Sequence, residues 1–123
     1  MKKTCLILLA HGSPDPRWRG NFDKLLAALQ ASCGPERVRL AYLEFAAPTL
    51  YEAAGAAARD GFCHLRILPL FMAGGGHVDR DIPVQVEQLG WELPEVVIEI
   101  LPPVGEDPRV FAAIGSIAQE ALR

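Results

Sequence analysis

Four apolar runs of strand length alternate with four stretches of helical periodicity, and that alternation predicts an α/β domain built on a parallel sheet. Right-handed crossovers, with helices on both faces of the sheet, follow from the same alternation. The first run, residues 5–10 (CLILLA), is apolar without alternation, as a strand covered on both faces must be, and it stops at His11. The expected strand order is 2-1-3-4, which makes a single three-layer domain with a four-stranded sheet. In that order a switch point falls between the first and third strands, where their connections leave toward opposite faces and open a crevice.

Each element has its own justification. Gly12, Ser13 and Pro14 are turn residues that deliver His11 to the carboxyl edge of the sheet. Residues 17–32 carry Trp18, Phe22, Leu25, Leu26 and Leu29 at helical spacing, and Gly34 and Pro35 end that helix. Residues 37–44 (RVRLAYLE) alternate as a strand near a sheet edge does, with Val38, Leu40, Tyr42 and Leu43 buried and Glu44 at the carboxyl end. Pro48 and Thr49 open an alanine-rich helix to Asp60, whose Leu50, Ala53, Ala54 and Ala57 suit close packing on a sheet, and Gly61 closes it. The third strand is 64–70 (HLRILPL), with regular pairing ending at Pro69, which has no amide to donate. A long loop, FMAGGGHVDRD, leads to a third helix that starts at Ile82 and Pro83 and continues through Val86 and Leu89. The fourth strand is 96–101 (VVIEIL), and the last helix runs from Asp107 or Pro108 to Leu122 with Val110, Phe111, Ile114, Ile117, Ala118 and Leu122 as its apolar stripe.

The 123 residues make one domain, residues 1–123, and four strands are few for such a fold, so an exposed face that wants a second copy is expected and the chain should be a homodimer. Half the residues are hydrophobic, 22% are charged, and the net charge of −3 gives no general attraction to nucleic acid or to anionic lipid. The opening MKKTCLILLA begins as a secretory signal does, yet its run is short, no small-x-small cleavage site follows, and cleavage would delete the first strand. No other apolar run approaches the roughly 20 residues that span a bilayer. Three cysteines, Cys5, Cys33 and Cys63, are widely spaced without a C-x-x-C pair and read as small core residues of a cytoplasmic protein.

The chemistry centres on two histidines. His11 follows the first strand and His77 lies in the loop after the third; neighbouring strands are about 5 Å apart, and the loop gives His77 the reach to meet His11 above the crevice. Two converging imidazoles suit a borderline divalent transition metal. His64 opens a strand, at the other end of the sheet, and reads as structural. Glu44 is open between a base, a metal ligand and a solvated strand-end charge. Asp79, Arg80 and Asp81 flank the third helix, with at least one of the aspartates capping it. Gly74, Gly75 and Gly76 lack the G-x-x-x-x-G-K-[ST] pattern and have no lysine, so close approach of a ligand fits them better than a nucleotide. The His11-Gly12 turn is also similar to the R-H-G turn of phosphohistidine enzymes, but Ala10 stands where the arginine would be.

Ala10-His11-Gly12-Ser13 after the first strand, Gly75-Gly76-His77 and Asp81-Ile82-Pro83 after the third, and Leu43-Glu44 with Pro48 after the second resemble the small CbiX-type sirohydrochlorin cobaltochelatases. These belong with the class II chelatases, as the sirohydrochlorin ferrochelatases do. The resemblance covers nearly the whole chain. It implies a flavodoxin-like half of a class II chelatase, a homodimer holding the tetrapyrrole between two copies, and a role in cobalamin or siroheme biosynthesis. By the same resemblance His11 and His77 bind the incoming metal at the catalytic centre, and Glu44 falls where an acid is often found. The implied metal substrate is Co²⁺, with Ni²⁺ or Fe²⁺ as alternatives that imidazole also suits, and no organic cofactor is expected.

Metal insertion fits these residues chemically. The site must strip water from a divalent ion yet release it to the ring nitrogens, so two neutral imidazoles serve better than a closed cage. The pyrrole protons must also leave, to a histidine or to Glu44. Ser13, Arg17, Gly75, Gly76 and Arg80 are the expected substrate contacts, with Arg19 and Lys24 near the same mouth to meet ring carboxylates. The alternatives are a non-catalytic metal or tetrapyrrole carrier using the same histidines and a flavodoxin-like phosphate-binding domain.

Overall fold

The computed structural model describes residues 3–73 and 78–123, with Val78 and Asp79 described by their backbone alone. Among these residues β1 (Thr4–Ala10), β2 (Val38–Tyr42), β3 (His64–Pro69) and β4 (Val97–Ile100) form one parallel sheet in the order β2-β1-β3-β4. The helices are α1 (Gly20–Cys33), α2 (Leu50–Arg59), α3 (Val78–Glu92) and α4 (Pro108–Ala121). Short 3-10 turns at Pro16–Arg19 and Val104–Glu106 precede α1 and α4.

Successive strand residues point to opposite faces, and β1, flanked by β2 and β3, needs apolar side chains on both. Leu8 and Ala10 join Val38, Leu40 and Tyr42 beneath Trp18, Phe22, Leu26 and Leu29, which come from α1 and the turn before it. Cys5, Ile7 and Leu9 face the other way, with Leu65 and Ile67 of β3, under Leu50, Ala53, Ala54 and Ala57 of α2 and Ile82 and Leu89 of α3. The alanines have no long side chains to hold α2 off the sheet. Thr49 caps α2 through a reciprocal box: its hydroxyl accepts from Glu52 N–H, and the Glu52 carboxylate accepts from Thr49 N–H.

Four expectations change. The third helix starts at Val78 rather than at Ile82, so Asp79, Arg80 and Asp81 lie in its first turn, past the capping position, and Pro83 sits inside the helix. Near the amino end a proline forfeits a single backbone bond, and an acid such as Asp81 suits the positive end of the helix dipole. The stretch before α1 is a 3-10 turn capped by Asp15, whose carboxylate accepts from Arg17 N–H at 2.9 Å, and Leu25 lies exposed off the buried stripe. Of the cysteines, Cys5 is buried and Cys63 half-buried, but Cys33 is exposed at the end of α1, where no element covers it. Finally, α4 buries none of its residues, although its stripe has the expected spacing. No helix among the described residues is long and apolar enough to cross a membrane.

Two expected outcomes follow from this packing. Ile67, fully buried in the centre of β3, leaves a cavity when shortened, so Ile67→Ala lowers the unfolding free energy by about 2–5 kcal/mol, read from the urea midpoint at unchanged slope. At the start of α4, the Arg109 side chain and backbone N–H donate to Asp107 and pull its pKa from 3.8 to about 2. A depressed folded value means that the cap is fully stabilising above pH 3.8 and is lost as pH falls through about 2. The amide resonance of Arg109 should hold steady down to about pH 4 and shift below it; a shift centred above pH 4 would contradict the cap.

Candidate functional site

The site is built by backbone that continues the sheet after its strands end. Leu43 N–H donates to the Ala10 carbonyl at 2.9 Å and Glu44 N–H donates to the His11 carbonyl at 3.0 Å, which carries contact between the two chains on to His11 and Glu44, past the ends of β1 and β2. Gly12 lies where this approach is closest. Its φ is 106°, and a Cβ there would stand 1.6 Å from the Glu44 carbonyl oxygen, so any side chain at this position displaces one chain from the other. Phe45, the residue after Glu44, takes a left-handed conformation with φ at 66°.

This clamp brings His11 Nε2 to 3.0 Å from Glu44 Oε1. On the other side, Leu70 N–H donates to the Leu9 carbonyl at 2.8 Å, and Phe71, the next residue, sets its ring edge-on to the imidazole with centroids 6.2 Å apart. His11 therefore stands at the switch point, with a carboxylate from the β2 side and an aromatic ring from the β3 side. An ionised carboxylate can only accept, so the pairing places a proton on Nε2, and in the neutral imidazole the lone pair is then on Nδ1. A carboxylate behind a histidine is also how protein metal sites fix the tautomer and raise the basicity of the ligating nitrogen. The side chains are 40% and 43% exposed, so the pair adds little stability and its consequence is orientation.

The other expected site residues fall in different places. His77, Gly74, Gly75 and Gly76 lie outside the described residues. Arg80 is exposed in the first turn of α3. The Ser13 hydroxyl accepts from Asp15 N–H at 3.1 Å and so shapes the turn after His11. Arg17 grips Asp15 with two guanidinium nitrogens, and this holds the Asp15 carboxyl below the usual carboxylate range. The Arg19 guanidinium lies 4.9 Å from the Tyr42 ring centroid and donates to the Ala47 carbonyl, while Lys24 is exposed on α1. His64, at the amino end of β3, sits within hydrogen-bond reach of Thr4 Oγ1 and Glu99 Oε1, both at 3.3 Å, as a structural residue would. Among the described residues no group of three His, Cys, Asp or Glu side chains is arranged to hold a metal. Sequence reasoning passed over Phe71; its place directly after the third strand, beside the switch point, was the available signal.

The CbiX family model matches residues 5–121. The chain is 31% identical over 118 residues to the sirohydrochlorin cobaltochelatase of Sulfurisphaera tokodaii, covering 96% of this chain and 93% of that one. Its fold is similar to that of a CbiX protein from Marinobacter aquaeolei VT8, with a TM-score of 0.86 and 37% identity over 97% of each chain. It also resembles the sirohydrochlorin chelatase SirB from Bacillus subtilis subspecies spizizenii, in complex with cobalt, with a TM-score of 0.84 and 22% identity over 98% of this chain and 51% of that one. The family match and these relatives, on a parallel sheet ordered 2-1-3-4, place the protein in the α/β chelatase class. The chain belongs to the CbiX family.

The close approach at Gly12 generates a prediction. Gly12→Ala puts a methyl group into the Glu44 carbonyl, so the two loops separate and the His11–Glu44 hydrogen bond is lost. The expected readout is a changed His11 imidazole nitrogen resonance and a lowered melting temperature; an unaltered resonance would show that the clamp does not set the pair.

Proposed function

We propose that this protein inserts a divalent metal ion, Co²⁺ ahead of Ni²⁺ or Fe²⁺, into sirohydrochlorin, in cobalamin or siroheme biosynthesis. The observation that carries the reading is the Glu44 carboxylate on His11 Nε2, which orients the imidazole, a suitable ligand type for a borderline metal, at the place where this fold receives its substrate. Its family membership and the names of its relatives, including sirohydrochlorin cobaltochelatases of Sulfurisphaera tokodaii and Methanopyrus kandleri and a sirohydrochlorin ferrochelatase of Bacillus subtilis, support it.

In this reading His11 and His77 take the hydrated ion as substrate and pass it to the ring nitrogens. As the metal enters, the pyrrole protons leave; the imidazole released from the metal accepts a proton, and Glu44 stabilises the imidazolium that forms or takes the proton on. An open ligand set keeps the ion exchangeable, which insertion requires. Ring carboxylates meet Arg80 and Arg17, the latter by exchanging Asp15 for substrate, and Ser13, Gly75 and Gly76 are the remaining substrate contacts of this reading. The working unit is a homodimer with the tetrapyrrole between two copies. The setting is the cytoplasm, to which three free thiols are suited.

The test follows the visible spectrum of sirohydrochlorin with added Co²⁺. The protein should accelerate insertion over metal alone, and His11→Ala and His77→Ala should each abolish the acceleration with the far-UV circular dichroism unchanged. Tight binding without acceleration would assign the protein to the carriers instead. Competition among Co²⁺, Ni²⁺ and Fe²⁺ at equal concentration then ranks the metals; equal rates for all would remove the preference for cobalt.

A further inference from the structure

Two large apolar side chains stand in water close to His11. Phe45 is 67% exposed and Met72 is 60% exposed, and neither joins the apolar clusters on the two faces of the sheet. Phe45 follows Glu44, whose Oε1 lies 3.0 Å from His11 Nε2, and Met72 follows Phe71, whose ring centroid lies 6.2 Å from that of the imidazole. Consecutive Cα atoms are about 3.8 Å apart, so each side chain starts one residue from a group that touches His11. One comes from the β2 side of the switch point and the other from the β3 side.

A single exposed apolar residue is ordinary, but the backbone at Phe45 is not. Its φ of 66° holds a bulky aromatic residue in the left-handed region, where its Cβ crowds the main chain. The fold thus accepts a strained main chain and a solvated ring at one position and gains no core contact from either. Strain of this kind collects where a ligand is gripped. Across the crevice the backbone that carries Met72 is anchored: Gly105 N–H donates to the Phe71 carbonyl at 2.9 Å, and a Cβ on Gly105 would stand 1.9 Å from the Met72 carbonyl oxygen.

A conjugated tetrapyrrole has flat apolar faces and a rim of carboxylates. Arginines suit the rim, and the faces call for a different contact. An aromatic ring stacks on a conjugated surface, and a thioether packs against one through its polarisable sulfur. We propose that Phe45 and Met72 seat the flat face of the sirohydrochlorin macrocycle over His11. Binding then removes both exposed side chains from water and brings the ring nitrogens to the imidazole that delivers the ion. The inference rests on the reading that sirohydrochlorin is the substrate, and it names the residues that recognise the ring itself rather than its carboxylates or the metal.

Titration of metal-free sirohydrochlorin, followed by its visible spectrum, reads the seat apart from the metal. Phe45→Gly removes the ring and relieves the left-handed backbone. It should weaken affinity about tenfold, the size of one stacking contact, while melting no lower than wild type and leaving the His11 imidazole nitrogen resonance unmoved. Met72→Ser should weaken affinity as well, and Phe45→Trp should keep it. In the insertion assay the Phe45→Gly loss should appear as a raised KM for sirohydrochlorin at an unchanged KM for Co²⁺. Wild-type affinity in either Phe45→Gly or Met72→Ser overturns the two-sided seat. So does a Phe45→Gly protein that melts lower than wild type, because the ring would then belong to the fold. A moved His11 resonance would mean that residue 45 acts through the His11–Glu44 pair, and the seat is again wrong. A wild type that does not bind the free macrocycle overturns the seat and the insertion reading together. Binding that both variants weaken, in a protein that does not accelerate insertion, overturns the insertion reading alone and upholds the seat.

Discussion

Gly12 passes so close to the Glu44 carbonyl that the loops leaving β1 and β2 behave as one piece of backbone, and the candidate site hangs on that contact. A histidine and a glutamate 33 residues apart would otherwise be two exposed side chains with little reason to meet. Their hydrogen bond is too solvated to assemble the site by its own strength. The order runs the other way: parallel pairing of β1 with β2, extended by two backbone hydrogen bonds, fixes the main chain, and the side chains then have a short distance left to close.

That arrangement separates stability from chemistry. The buried residues of β1, β2, β3, α2 and α3 supply the apolar burial that holds the sheet, and none of them carries the proposed reaction. His11 and Glu44 sit just beyond the carboxyl ends of the strands, where loops are solvated and backbone is committed only at a few hydrogen bonds. The proposed metal-transfer site would gain from this division. The ligand must be held in orientation yet remain open to water and substrate, and a rigid sheet beneath an exposed imidazole meets both needs.

The helix before the carboxyl end shows the same constraint from its other side. Helices ordinarily cover both faces of a parallel sheet, and α1 packs on the half of its face formed by β1 and β2. The last helix, α4, lies beyond the turn at Gly105, which sends it outward. The close backbone contact at Gly105 holds the turn, and the helix beyond it buries none of its residues in the protomer.

The element order, the strand order 2-1-3-4 and most of the core were legible in the sequence, because alternation of apolar runs with helical stripes leaves few topologies and an unbroken run such as CLILLA belongs at a sheet centre. Boundaries were less legible: Pro83 reads as a first-turn residue, yet α3 begins at Val78, since a proline near a helix end costs too little to mark where the helix starts. Glu44 could be placed at the end of β2 but not given a partner, because its 3.0 Å contact with His11 depends on register and on a positive φ at Gly12, neither of which is a pattern of residue types. Phe71 beside the imidazole was hidden for the same reason. For α4 the sequence determined that there is an apolar face, and the tertiary structure alone decided that the face does not meet its own sheet: periodicity specifies which side of a helix avoids water, whereas the direction of the chain entering it decides what that side can reach.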